Sequence, residues 1–353
     1  MLNHEDLQSV ERLQAVYHRI SAEVSKVIVG QHSVVDELLL ALFAQGHCLL
    51  VGVPGLAKTL MIRTLAQTLD LGFRRIQFTP DLMPADVTGT EVIQEDRSSG
   101  NRELRFMAGP IFANIVLADE VNRTPPKTQA ALLEAMQERQ VTINGICRKL
   151  PSPFFVLATQ NPIEHEGTYP LPEAQLDRFM LNVLIDYPSE DDELQIVQRT
   201  TVDGGEEAEP VLSANEVVDL GKVVRRIPIA DHVARFALRF ARMTRRDTLD
   251  APEIVKEFVM WGAGPRASQY LVLAAKAKAA MAGRHYVSHS DVIAVIRPVL
   301  RHRIKTNFNA DAEGMTPDHI IEQLIALNPI VGDESGGRKR DQASEIFRSA
   351  DSR

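Results

Sequence analysis

Cysteine is almost missing from this chain: Cys48 and Cys147 are the two in 353 residues, and no spacing suits a metal site. Cys48 lies inside "HCLLVG" and reads as a small core residue rather than a functional thiol, a usage that suits a reducing cytosol. Long hydrophobic runs are missing too. The longest, "LLLALFA" at 38–44, falls far short of the roughly 20 apolar residues that span a bilayer. The opening "MLNHEDLQSVERL" has no apolar signal-peptide core. A cytoplasmic chain without a transmembrane segment is expected, with at most peripheral membrane contact. An excess of positive charge is also lacking. Lys and Arg total 39 against 47 Asp and Glu, a net charge of -8, and aromatics are 5 %, with no strip of interleaved basic and aromatic residues. Nucleic acid is therefore not an expected partner.

The remainder is a soluble globular composition, long enough for two or three domains. Leu7, Val10, Leu13, Val16, Tyr17, Ile20, Val24 and Val27 recur at helical spacing, and Val34 to Phe43 suggests a second helix. "HCLLVG" then reads as a buried strand. "FRRIQF" (73–78), "NIVLAD" (114–119), "FFVLAT" (154–159) and "LNVLID" (181–186) are further strands, separated by helical stretches such as "PPKTQAALLEAMQERQ". This alternation predicts an α/β fold, a mainly parallel sheet with helices on both faces. Two insertions read as hairpins, "EVIQEDRSSGNRELRF" and "QVTINGICRKL", the latter carrying the Asn144-Gly145 turn signal. Beyond residue 187 the strand signals fade: seven segments, "APEIVKEFVMW" included, read as helices, "VDGGEEAEPV" (202–211) reads as an acidic, glycine-rich loop, and the charged, Gly- and Ser-containing end is expected to be disordered.

"GVPGLAKT" (52–59) follows the first strand and opens a helix, the context of a phosphate-binding loop. Gly52 and Gly55 would let the backbone turn and approach phosphates, and Pro54 would stiffen the loop. Lys58 would reach the β- and γ-phosphates, and the Thr59 hydroxyl would ligate Mg²⁺. Ala57 stands where the common pattern has glycine. The expectation is a negative φ there, which alanine adopts without penalty. "NIVLADE" ends a buried strand in Asp119 and Glu120, a costly pair unless a cation or water uses it. Asp119 suits the Mg²⁺ shell and Glu120 the attacking water. Asn161 ends "FFVLATQN" and would reach that water or the γ-phosphate if its strand lies between the other two. Arg178 closes a short helix in "LPEAQLDRF", where it can act as a finger on a neighbouring subunit or pair locally with Asp177 or Glu173. Arg266 opens a helix behind Pro265 and could reach phosphates.

Together these features resemble an AAA+ ATPase. Residues 52–59, with Val53 and Leu56 inside the loop, resemble Walker A. Residues 115–120 resemble Walker B, Asn161 sensor 1, Arg178 the arginine finger and Arg266 sensor 2, while "VIVGQ" resembles the segment that packs on adenine, with Ile28 and Val29 as contacts. "PADVTG", "LADEVNRTPPKTQAALLEAMQERQVTI", "ATQNPIEHEGTYPLPEAQLDRF" and "GAGPRAS" narrow the resemblance to the MoxR family, over about residues 10–330. It implies an α/β nucleotide-binding core over 1–187, an all-α lid over 188–330 and a tail over 331–353. It further implies ATP and Mg²⁺ as ligands, a homo-oligomeric ring of hexamer type, the hairpins at the pore or ring surface, and a chaperone role. Partners would be client proteins carrying a von Willebrand A domain, whose D-x-S-x-S pattern this chain lacks. A metal-chelatase motor subunit and a non-hydrolysing nucleotide switch stand as alternatives.

Overall fold

The structure is a computed structural model and describes residues 4–95, 102–161, 168–202 and 206–329. The expected tail and the centre of the first hairpin lie outside these residues. The predicted opening helices are α1 (His4–Val27) and α2 (His32–Phe43). Val10, Leu13, Val16, Ile20 and Val24 of α1 are buried along one stripe, so helical periodicity is satisfied by packing.

Five parallel strands form the sheet: β1 (Cys48–Val51), β2 (Phe73–Gln77), β5 (Ile115–Asp119), β8 (Phe155–Gln160) and β9 (Leu181–Leu184). Their spatial order is β2-β5-β8-β1-β9. β8 therefore lies between β1 and β5, the condition on which the Asn161 reading depended. Leu50 pairs with Thr159 and Ala118 with Ala158, so the carboxyl ends of three strands finish side by side. In a sheet of this kind ligands bind at that edge, where successive connections leave in opposite directions. The phosphate loop leads into α3 (Lys58–Thr68), and α5 (Pro126–Glu138) follows β5.

Both predicted hairpins are present. The first pairs β3 (Gly89–Glu95) with β4 (Arg102–Ala108), after the short α4 (Pro84–Thr88). The second pairs β6 (Gln140–Ile143) with β7 (Ile146–Lys149) through Asn144 (φ 49°) and Gly145 (φ 80°), both left-handed as a tight two-residue turn requires. Glu91 of the first accepts hydrogen bonds from Asn144 (3.0 Å) and Arg148 (3.2 Å) of the second. The Arg148 guanidinium also lies 3.8 Å from the centre of the Phe106 ring. The two hairpins are thereby joined.

After α6 (Glu173–Leu176) and β9, the chain is helical: α7 (Glu190–Thr200), α8 (Ala214–Arg226), α9 (Asp231–Met243), α10 (Glu253–Phe258), α11 (Pro265–Met281), α12 (His289–Leu300), α13 (Phe308–Glu313) and α14 (Pro317–Ala326). One expectation fails here. "APEIVKEFVMW" is helical only to Phe258; Val259–Trp261 form β10, antiparallel to β11 (Lys305–Thr306). The β-branched and aromatic ends of that tripeptide favour extended backbone, and Gly262 then fits against the Thr244 carbonyl, where a Cβ would clash at 2.1 Å. α11 buries Ala267, Ala274, Ala275, Ala277, Ala279 and Ala280, which lets neighbouring helices approach closely. One apolar cluster runs unbroken from α1 across one face of the sheet to α14. No helix among the described residues is long and apolar enough to cross a membrane.

His47, just before β1, is buried and knits three elements. Its Nδ1 accepts from the Val156 amide at 3.0 Å, and its Nε2–H donates to the Met136 carbonyl at 3.2 Å. Burial pulls its pKa down to about 4. Protonation would cancel the Val156 bond, so the neutral ring is the folded form. Below the ordinary histidine value of about 6.5 the unfolded chain takes a proton that the folded chain refuses. This contribution to stability is full above that value and falls by about 3 kcal/mol as pH drops towards 4. Urea unfolding at pH 4.5, 5.5 and 6.5 should therefore show a steeper decline for the wild type than for His47→Asn; parallel slopes would contradict this account.

Candidate nucleotide site

A cavity of about 370 Å³ opens over the sheet's carboxyl edge, lined by the phosphate loop from Pro54 to Thr59 and by Arg75, Asp119, Glu120, Thr159 and Asn161. That size suits a small ligand. A larger cleft of about 1000 Å³ lies on the other side of Asn161, towards Trp261 and Arg303. The first holds the groups that can do phosphate chemistry.

The loop is built by close approach. A Cβ on Gly52 would sit 2.5 Å from the Ile185 carbonyl oxygen, so glycine here serves contact with the chain after β9. Gly55 has φ +89°, a turn that L side chains resist. Lys58 opens α3 and donates to the Gly52 carbonyl at 2.5 Å, folding its ammonium back over the loop. Burial draws its pKa below the usual lysine value, and Asp119 and Glu120 oppose that shift. Ala57 is a correction. Its φ is +51° and ψ 24°, left-handed rather than the negative φ expected at a helix start. It stands just before the first helical residue, where the loop reverses into α3, so the geometry that favours glycine in the common pattern is present and alanine carries a strain of about 1 kcal/mol. Val53 is half-buried, and Leu56 packs against the large core.

Asp119 and Glu120 emerge from β5, whose residues Ile115 to Ala118 are fully buried. Asp119 accepts from the Thr159 hydroxyl at 2.6 Å through Oδ1 and from Arg75 at 2.9 and 2.6 Å through Oδ2. Glu120 has φ +56°, its amide donates to Thr159 Oγ1 at 2.8 Å, and its carboxylate meets Gln77 at 2.8 Å and Arg123 at 3.1 Å. Arg123 thus makes a local ion pair with Glu120, three residues before it. Asn161 is buried at the end of β8 and faces the cavity.

Arg178 and Arg266 do not line this cavity. Arg178 donates to the Leu133 carbonyl of α5 at 2.8 Å rather than pairing with Asp177 or Glu173. Asp177 instead holds two cations: Arg266 of α11 at 3.3 Å and Arg303, at 2.8 Å through the other oxygen. Arg303 is buried, and its guanidinium also donates to the carbonyls of Asp177 (2.9 Å) and Phe179 (2.6 Å). The Tyr270 hydroxyl of α11 donates to the Arg178 carbonyl at 3.2 Å. Ile28 is in the core, 6 % exposed, and Val29 is half-buried; neither lines the cavity. Gln31, two residues on, donates to the Asp186 carbonyl at 3.0 Å and so brings that segment beside the residues after β9.

Sequence reasoning gave no role to Arg75, Gln77, Thr159 or Arg303. Arg75 and Gln77 stand two apart in "FRRIQF", on one face of an edge strand. Polar residues sharing one face of a strand were the available signal. Arg303 carried no motif.

Thr59 and Asp119 offer the hard oxygen donors that Mg²⁺ prefers, and both border the cavity with Lys58. No group of three or more His, Cys, Asp or Glu placed to hold a metal ion occurs among the described residues.

A five-stranded parallel sheet in this order, with a phosphate loop after β1, an acidic pair after β5, a polar end to β8 and helices following, defines the α/β fold of AAA+ ATPases. Comparison with known proteins narrows this. A family profile described as "ATPase family associated with various cellular activities (AAA)" matches residues 47–181, and "AAA lid domain" matches 251–324. The chain is 43 % identical to Chaperone MoxR1 of Mycobacterium tuberculosis over 318 residues, 89 % of this chain and 83 % of that one. It is 39 % identical to the uncharacterized protein YeaC of Bacillus subtilis, over 90 % of this chain and 95 % of that one. A crystal structure from Cytophaga hutchinsonii, assigned as an ATPase, superposes with a TM-score of 0.85 at 40 % identity, covering 92 % of this chain and 98 % of that one. The chain belongs to the MoxR family of AAA+ ATPases.

The left-handed Ala57 gives a test by itself. Ala57→Gly should leave the unfolding free energy unchanged or raise it by up to about 1 kcal/mol, whereas the same exchange inside a helix loses about that much. A clear loss in chemical denaturation would contradict the geometry at this residue.

Proposed function

We propose that this chain binds ATP with Mg²⁺ in the cavity above β1, β5 and β8 and hydrolyses it. The observation that carries the reading is the convergence of Lys58, Thr59, Asp119, Glu120 and Asn161 on one cavity. Lys58 binds the β- and γ-phosphates, and loop amides from Gly55 to Thr59 cradle them. Thr59 and Asp119 hold the ion, which when bound neutralises phosphate charge. Glu120 takes the proton of the attacking water, and Asn161 orients that water or the γ-phosphate. Ile28 and Val29 belong to the segment that backs the adenine, close to the residues after β9 that Gln31 grips.

The working form is a homo-oligomeric ring, a hexamer, in the cytoplasm. Arg266 is held by Asp177, the residue before Arg178, and neither arginine lines the cavity of its own chain, which supports their service to the nucleotide of the neighbouring subunit. Residues 188–330 act as the lid, and the cycle drives remodelling or activation of client proteins, those with a von Willebrand A domain first among them. The name of the mycobacterial relative supports the chaperone part of this reading.

Specific ATPase activity measured across protein concentrations tests it. Activity per subunit should rise with concentration and fall at least tenfold in Arg178→Ala; activity that is flat and indifferent to Arg178 would defeat the shared site. Glu120→Gln should bind ATP within a few-fold of wild type while turnover drops by about two orders of magnitude or more. Near-normal turnover in that variant would move the base elsewhere.

A further inference from the structure

Arg75 belongs to neither the phosphate loop nor the acidic pair, yet it binds Asp119 directly and is linked to Glu120 through Gln77. It lies on β2, the edge strand beside β5. Its Nε and one Nη both donate to Oδ2 of Asp119, at 2.9 and 2.6 Å. The same Nη donates to Oε1 of Gln77 at 2.5 Å. That bond turns the Gln77 amide nitrogen towards Glu120, which it meets at 2.8 Å. The Thr159 hydroxyl takes the other Asp119 oxygen at 2.6 Å. Oδ2 of Asp119 therefore carries two donors and is fully engaged, while Oδ1 carries one, so an ion or its bound water can take Oδ2 only if Arg75 withdraws. Thr159 is 1 % exposed and is also fixed by the Glu120 amide. The Arg75 side chain is 48 % exposed on a long, flexible stem. Arg75 is the donor that can leave.

We propose that Arg75 is the exchangeable counter-ion of Asp119. It neutralises the carboxylate when nucleotide arrives without metal and gives up Oδ2 when nucleotide arrives with Mg²⁺. Arg75 thereby sets how strongly nucleotide binding depends on the metal. Its departure also removes the bond that orients Gln77, so the hold on Glu120 loosens in the metal-loaded form. The inference rests on the nucleotide reading above and goes beyond it, because it concerns a residue on the edge strand rather than the loop or the acidic pair.

The test is titration of a fluorescent ATP analogue into the full chain, with Mg²⁺ and with EDTA. Without Arg75 an uncompensated carboxylate faces the triphosphate, so Arg75→Gln should weaken metal-free binding about tenfold. Binding with Mg²⁺ should stay within about twofold or tighten, because the competing cation is gone. The ratio of the two dissociation constants then rises about tenfold, and Arg75→Lys, which keeps the charge and loses the fork, falls between. Equal weakening in both buffers, or no change in either, overturns the proposal. Asp119→Asn guards against a misfolded Arg75 variant: it should tighten metal-free binding, since Arg75 is then free to face the phosphates, and failure to tighten also overturns it. Lys58→Ala separates the two levels of the argument. Wild type that binds in neither buffer, as Lys58→Ala should, overturns the nucleotide reading and this inference with it. Wild type that binds and loses affinity in Lys58→Ala, while the Arg75 ratio stays put, overturns this inference alone.

Discussion

Asp119 and Glu120 close a strand whose preceding four residues are fully buried, with β2 and β8 hydrogen-bonded on either side. Two adjacent carboxylates in that position carry a desolvation cost that only charge-assisted partners relieve. The sheet order supplies them. β2 brings Arg75 and Gln77, β8 brings Thr159, and the turn after β5 brings Arg123. β1, on the far side of β8, places the Lys58 loop close enough for its cation to feel both acids. A different strand order would leave the same residues without mutual contact.

A second set of charges governs the helical half. Asp177, between α6 and β9, takes Arg266 on one oxygen and the buried Arg303 on the other. Removing one member of such a triad leaves charge stranded at low dielectric, which is far more damaging than losing a surface pair. The backbone around Arg178 is thus specified by residues about 90 and 125 positions later in the chain. Its geometry is a property of the assembled helical half rather than of its own short helix.

The sheet, both hairpins and the loop–helix junction were legible in sequence because each rests on a local rule: apolar runs ending in glycine or acid, Asn144-Gly145 at a turn, helical spacing in α1. The misreadings occur where long-range contact overrides local preference. Ala57 adopts a left-handed φ, since the loop must reverse between β1 and α3. Val259–Trp261 leaves its helix because a strand over 40 residues away offers a partner. Arg75, Gln77 and Arg303 were silent because nothing near them in sequence tells that Asp119, Glu120 or Asp177 will face them. Ile28 is visible as an apolar residue in the right motif, but not as one that the core has almost wholly absorbed.

α5 starts just after Arg123 and runs into the second hairpin, and along its length the Leu133 carbonyl holds Arg178. At 13 residues it is about 20 Å long and bends little. It works as a lever with three points of attachment: the acidic turn at one end, the arginine along its shaft, and the second hairpin, with the first tied to it through Glu91, at the other. A small tilt of this rod about its middle would displace the acidic turn and the hairpins in opposite directions. The acidic turn at one end and the joined hairpins at the other are therefore mechanically coupled through a single rod.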